Sequence, residues 1–289
     1  MQAEAAARRL STVYALGAIA LWAALASLGI SLKHVPPFLL TGIALLIGSI
    51  PAWPLYRQWK VSPATLAMGV YGLFGYHFLL FIALQLAPPV EANLVNYLWP
   101  LLIVVLAPLF IPGVRLRPAH VFAALLGFGG AALAILGRES AGTSVLSGWS
   151  WGYLPALGGA FIWASYSLLT KRAALSSHVF PTAAIGLFGL VSGLLSLLCH
   201  WLLEPAVVLN GQDWLLLAIT GLGPLGAAFF MWDKALKLGD ARHIGILSYL
   251  TPLASTSLLL LVSGSPFTLN IALAAAMIIG AAVLGTRAA

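Results

Sequence analysis

Uncharged apolar runs of about twenty residues recur along this chain from one end to the other, and a helix of roughly that length is what crossing about 30 Å of hydrocarbon requires. Ten such runs are read, at about 12–32, 36–56, 64–86, 89–110, 118–136, 149–169, 179–203, 214–232, 243–262 and 266–284. With 61% hydrophobic residues, 7% charged residues and a mean hydropathy of +1.02, the chain lies outside the range of soluble domains. The expected fold class is all-α, a polytopic membrane protein of ten transmembrane helices. The first run is too long for the apolar core of a secretory signal and nine more follow it, so no cleaved leader is expected. The longest connection, about 137–148, leaves no room for a soluble catalytic domain.

Charge placement sets the orientation. With the N-terminus in the cytoplasm, the inner segments hold Arg8, Arg9, Arg57, Lys60, Arg115, Arg117, Lys171, Arg172, Lys234, Lys237, Arg242 and Arg287, and the outer ones hold only Lys33 and Arg138. That imbalance is the positive-inside signature, so both termini are expected in the cytoplasm. The net charge of +7 is accounted for by orientation, and no nucleic-acid partner is expected. A lone cysteine, Cys199, rules out an internal disulfide and argues against a thiolate metal site. No cofactor or metal is expected.

An internal repeat organises the runs. ALGAIALW (15–22) matches ALGGAFIW (156–163), and ALQLAPPVEANLVNYLWPL (83–101) matches ALKLGDARHIGILSYLTPL (235–253) without gaps, 152 positions later. The shared Tyr-Leu-x-Pro is harder to attribute to chance than the shared Ala and Leu. The chain therefore divides into a first five-helix repeat (1–137), a connecting loop (138–148) and a second five-helix repeat (149–289). Five spans per repeat place the second upside down relative to the first, a transporter arrangement whose site lies near the midplane where kinked helices correspond. Pro100 and Pro252 are such a pair, each removing a backbone hydrogen bond, and are assigned as hinges.

The same stretch carries polar side chains in an apolar setting. Asn93, Asn96, Tyr97 and Pro100 are spaced i, i+3, i+4, i+7 and share one face of span 4, which must point into the bundle because bare amides in hydrocarbon are costly. Interhelical hydrogen bonding is expected for Asn93, and a cavity for Asn96 and Tyr97. Of ten tryptophans, Trp53, Trp59, Trp149, Trp151, Trp201 and Trp214 fall at span ends, as interface anchors do, and Trp232 is also placed near an end. Trp22, Trp99 and Trp163 lie well inside their spans. With Tyr76, His77, Tyr166, Ser167, Ser248 and Tyr249 they are expected to line a central cavity of spans 1, 3, 4, 6, 8 and 9, with Asn96 or Ser248 as hydrogen-bond donors to a substrate. Glycines at 69, 72, 75, 127, 129, 130, 189 and 193 are read as close-packing points.

Other chemistries fit poorly. GLGPLG at 221–226 satisfies G-x-G-x-x-G literally, but no strand precedes it and a proline occupies its middle, so dinucleotide binding is rejected. An intramembrane enzyme would need a nucleophile with its base, or paired carboxylates, at depth. The acids Glu4, Glu91, Glu139, Glu204, Asp213, Asp233 and Asp240 all fall in loops or near span ends, with Glu91 placed to cap a helix. Without a mid-membrane acid, transport down the substrate gradient is expected, His77 being the one mid-span group suited to proton coupling.

The ten-span layout and repeat resemble the drug/metabolite transporter superfamily, EamA type. VEANLVNYLWP (90–100), GAFIWASYSLLTKR (159–172) and SYLTP (248–252) resemble the bacterial aromatic amino acid exporters within it. That resemblance implies an inner-membrane exporter of Phe, Tyr and Trp, with methyl viologen as a further substrate and export of other metabolites or hydrophobic drugs as the alternative, working as a monomer in the lipid bilayer. His77, beside Tyr76, stands where the resemblance leads to a different polar or an acidic residue, so no coupling mechanism is carried over from the family.

Overall fold

The computed structural model describes residues 2–136, 149–263 and 268–288, and every regular element among them is helical. The connecting segment 138–148, with Arg138 and Glu139, lies outside the described residues. The helices are α1 (Gln2–Ala23), α2 (Leu25–Ser31), α3 (Pro37–Ser49), α4 (Pro63–Val70), α5 (Tyr76–Leu86), α6 (Pro89–Asn96), α7 (Trp99–Phe110), α8 (Pro118–Leu136), α9 (Tyr153–Ala174), α10 (Ala184–Leu203), α11 (Gly211–Leu222), α12 (Ala228–Leu238), α13 (Ala241–Leu247), α14 (Leu250–Ser263) and α15 (Leu269–Ala288). A 3₁₀ stretch, Ile50–Trp59, extends α3. One π turn, Tyr71–Gly75, joins α4 to α5, and another, Gly223–Ala227, joins α11 to α12.

Eight continuous helical segments are long and apolar enough to cross a membrane. The other two expected spans are helical but fall outside that set. α9 carries Tyr, Ser and Thr at depth and ends in Lys171-Arg172. The pair α13 and α14 is interrupted at Ser248-Tyr249 and begins with Arg242-His243. Large apolar side chains such as Phe122, Leu109 and Leu203 are exposed on the outside of the bundle, where lipid is their natural neighbour. Trp53, Trp149, Trp151, Trp201 and Trp214 are exposed as well, at helix ends.

The repeat is visible in the irregularities. α6 breaks from α7 at Tyr97-Leu98 and α13 from α14 at Ser248-Tyr249, 151 positions on. Pro100 sits in the first turn of α7, where its missing N–H breaks no intrahelical bond. The two π turns are also 152 positions apart. His34-Val35-Pro36-Pro37, entering α3, recurs 144 positions later as His178-Val179-Phe180-Pro181, entering α10.

Glycines set the tightest crossings. A Cβ on Gly69 would fall 2.2 Å from the ring of Phe188, and one on Gly72 would fall 2.3 Å from that of Tyr166. Gly221 and Gly226, from the rejected nucleotide motif, face Gly48 of α3: a Cβ on Gly48 would lie 2.7 Å from the Gly221 carbonyl and 2.9 Å from the Gly226 Cα. Backbone cannot swing aside as a side chain can. Gly48→Ala is therefore expected to destabilise the protein by about 1–3 kcal/mol, whereas Gly29→Ala, with nothing within 4 Å, leaves it unchanged. Detergent-solubilised thermal unfolding of the two variants checks this, and equal melting temperatures would contradict it.

Candidate functional site

A cavity of about 920 Å³ occupies the middle of the bundle and opens at the end that carries Lys33. All six expected spans contribute to it through Trp22, Tyr76 with His77, Asn96 with Trp99, Trp163, Phe229 and Thr251. Leu40 and Thr41 of α3 and Ile135 of α8 also line it, so spans 2 and 5 belong to the wall too. Both enter because α3 and α8 flank the mouth, a position that periodicity within one helix does not reveal.

Its floor is aromatic. Trp163 lies 5.8 Å from Trp22, 6.4 Å from Trp99 and 5.6 Å from Phe229, between ring centroids, and stacks on Trp232 at 6.2 Å with an interplanar angle of 24°. Trp232 also meets Trp22 at 5.2 Å and Trp99 at 5.6 Å. It is not an interface anchor. It is 1% exposed, and its indole N–H donates to Ser167 Oγ at 3.1 Å. The span expected to stop at 232 runs on to Leu238, which moves Trp232 from the edge to the interior.

The π turns orient two cavity side chains. The indole N–H of Trp22 donates to the carbonyl of Pro224 at 3.1 Å, within the second π turn. His77 Nδ1–H donates to the carbonyl of Leu73 at 2.6 Å, within the first. Such turns are rare and recur at functional sites, because a wider turn displaces backbone groups from the regular ladder. Neither turn is legible from propensity.

Polar groups divide into engaged and free. Asn96 Nδ2 donates one of its two hydrogens to the Tyr76 hydroxyl at 3.0 Å. Ser248 is fully buried and its hydroxyl donates to its own helix at Ile244 O, 2.8 Å away, outside the cavity. Asn93, expected to bond a neighbouring helix, instead lines the cavity beside Asn96 and Tyr97. Tyr166 and Ser167 lie behind the floor, Tyr166 with its ring 5.5 Å from Trp163. Tyr249 is fully buried against Gly127 and Phe128, on the far side of the helix break from the cavity. Of the hinge pair, Pro252 borders the cavity and Pro100 is buried behind Trp99. Glu91 lies in the first turn of α6 and accepts from the Tyr153 hydroxyl.

The opposite end is shut by polar contacts. Ser11 Oγ donates to Ala235 O at 2.8 Å, and Arg242 donates to Arg115 O at 2.7 Å. Asp240, between α12 and α13, is partly buried, which works against its charge. Hydrogen bonds and charge from Arg242 nevertheless hold its carboxyl below the usual carboxylate range.

Comparison with known proteins agrees with this architecture. The EamA-like transporter family model matches the chain twice, over residues 9–136 and 150–287. The protein named aromatic amino acid exporter YddG of Ancylobacter novellus is 41% identical over 290 residues, covering 96% of this chain and 98% of that protein. The protein of the same name in Escherichia coli is 27% identical over 298 residues, covering 96% and 97%. A solved crystal structure superposes with a TM-score of 0.89 at 42% identity, covering 98% of both chains. A helical bundle with a central cavity and a family model repeated across both halves make this chain a multi-pass membrane transporter of the EamA-like transporter family.

Proposed function

We propose that this protein exports aromatic amino acids across the bacterial inner membrane, by alternating access of a cavity floored with tryptophan. The observation that carries the reading is the cluster of Trp22, Trp99, Trp163 and Phe229 at the base of a cavity whose volume lies within the roughly 300–1,000 Å³ of small-molecule sites. Exporter-named relatives at 41% and 27% identity support the substrate class. A substrate ring packs edge-on or tilted against Trp163 and Trp22, adding about 0.5–1.5 kcal/mol per aromatic pair beyond burial. The unbonded amide of Asn93 and the rim lysine, Lys33, face the substrate's polar end. Among the described residues no carboxylate lines the cavity, which supports transport down the substrate gradient without proton coupling.

The two repeats stand inverted in the membrane, with both termini in the cytoplasm and the cavity open to the outside. The helix breaks at Tyr97-Leu98 and Ser248-Tyr249 absorb the rocking between states. In a Cys199→Ser background, a cysteine at Lys33 is expected to react with an impermeant maleimide only from outside, and one at Ser177, 144 positions later, only from the cytoplasm. Reaction of both from one side rules out the inversion.

Transport itself is tested in proteoliposomes. Labelled Phe and Trp are expected to equilibrate without ATP, and uptake is expected to survive an uncoupler. Strict loss of uptake with the uncoupler, relieved in His77→Ala, would establish proton coupling through His77 instead.

Trp163→Ala and Trp99→Ala each remove a stacking partner. Affinity for Trp is expected to fall by about 1–2 kcal/mol, roughly five- to thirty-fold, while Trp201→Ala, 77% exposed, leaves it unchanged. Normal Trp affinity in both floor variants would place the binding site elsewhere.

A further inference from the structure

The cavity is lined on α5 by Tyr76, His77, Leu80, Phe81 and Leu84. At the 152-residue spacing their counterparts on α12 are Ala228, Phe229, Trp232, Asp233 and Leu236. Only Phe229 of these five lines the cavity; the other four are buried, Trp232, Asp233 and Leu236 toward the opposite end. Inverted repeats that exchange conformations turn this face of α12 toward an inner vestibule, as the α5 face now lines the outer one. On the alternating-access reading above, we propose that α12 carries a second, cytoplasm-facing binding site for the zwitterionic group of an amino acid, with Asp233 taking the ammonium and Lys237 the carboxylate.

The contacts at this joint support the assignment. Asp233 Oδ2 accepts from Thr182 Oγ1 at 2.6 Å and from Lys237 Nζ at 2.7 Å. Lys237 Nζ also donates to Phe180 O at 2.7 Å and lies 4.0 Å over the Phe180 ring. Asp233 Oδ1 is buried with no hydrogen-bond partner among the described residues, although Asp233 is only 1% exposed. A buried carboxylate oxygen with no donor is unfavourable, and an ion pair in the interior is weak support for stability, so packing alone does not account for this pair.

The first repeat shows what packing alone accepts. There the counterparts of Asp233 and Lys237 are Phe81 and Gln85, and the counterpart of Thr182 is Phe38. Phe38 meets Phe81 edge-on at 5.4 Å. The same joint is therefore apolar at the outer end and charged at the inner end. In the closed joint Asp233 Oδ2 and Lys237 pair with each other, Thr182 and the Phe180 carbonyl add one further bond to each, and Asp233 Oδ1 is left over. When the joint opens, an amino acid's ammonium and carboxylate replace those partners group for group, and Trp232 beside them gives a wall for the aromatic ring. The pair has no net charge, so it selects for the zwitterion and against a dication.

The test uses the full-length protein in inside-out vesicles, which present the cytoplasmic face, and in right-side-out vesicles. Lys237→Gln is expected to raise the KM for Phe at the cytoplasmic face about ten-fold, to leave inhibition by phenethylamine, which has no carboxylate, unchanged, and to leave the outer-face KM unchanged. An unchanged cytoplasmic KM, or an equal weakening of phenethylamine, overturns the site. Because altering a buried charge can impair folding, Leu236→Cys in the Cys199→Ser background gives a second reading. It is expected to react with an impermeant maleimide from the cytoplasmic side during turnover, as Leu84→Cys reacts from outside. A Leu236→Cys that stays unreactive while Leu84→Cys reacts also overturns the proposal. Wild-type protein that moves no Phe in either vesicle orientation would refute the exporter reading instead, and Leu236→Cys labelling still decides whether this face opens inward.

Discussion

Every backbone N–H and C=O inside hydrocarbon must find a partner in the protein, because no water is there to supply one. Broken or widened helices are then tolerable only where neighbouring chain surrounds them or where they border a wet cavity. Four irregularities of this bundle fit that constraint: the breaks at Tyr97-Leu98 and Ser248-Tyr249, and the π turns at Tyr71–Gly75 and Gly223–Ala227. Their interior position also makes them useful, since carbonyls of the π turns at Leu73 and Pro224 fix His77 and Trp22. The cost of irregular backbone in a membrane and the need to aim side chains into a cavity have the same structural solution here.

The aromatic floor follows from that aiming. Trp22 is held by Pro224 and Trp232 by Ser167, so two of the four indoles are fixed by hydrogen bonds as well as by packing. Trp163 then has neighbours on several sides and few rotamers open to it. A rigid stacking surface loses little conformational entropy when a ring settles on it, which favours binding without any added contact. The same cluster also separates the open cavity from the closed polar joint below it, where Asp233, Lys237 and Thr182 meet. Floor and barrier are one set of side chains.

Much of this was readable from sequence because hydrophobic length acts over whole spans. The ten helical segments, the interior placement of Trp22, Trp99 and Trp163, and the polar-aromatic stripe of Asn96 and Tyr97 all rest on spacing along a single helix. Features that depend on two helices meeting were not readable. Trp232 looked terminal because polar Asp233, Lys234 and Lys237 cut the apolar run short, whereas in the fold those residues pair within the bundle or face its end. Tyr249 matches Tyr97 in sequence, yet Gly127 admits its ring into a packed crevice that the counterpart lacks. Ser248 looked like a free donor, and the structure shows it fully buried and bonded to Ile244 O of its own helix.

Two repeats with one backbone plan and different side chains carry a further consequence. On the alternating-access proposal, a perfectly symmetric inverted pair would make the two access states equal in energy, since a two-fold rotation about an axis in the membrane plane would exchange one for the other. Populations of conformers are set by differences of only a few kcal/mol, so a handful of unmatched side chains decides which state rests. Here the inner joint gains Thr182, Lys237 and the Phe180 carbonyl around Asp233, and the outer joint has rings where those groups would be. Closing the inner end forms directional, charge-assisted bonds that an apolar contact at the outer end does not match, because rings pack nearly as well after a small slide. The asymmetry therefore favours the arrangement seen, shut below the tryptophans and open above them. On the inner-site proposal, a substrate able to take over the charges of Asp233 and Lys237 would remove that bias from within.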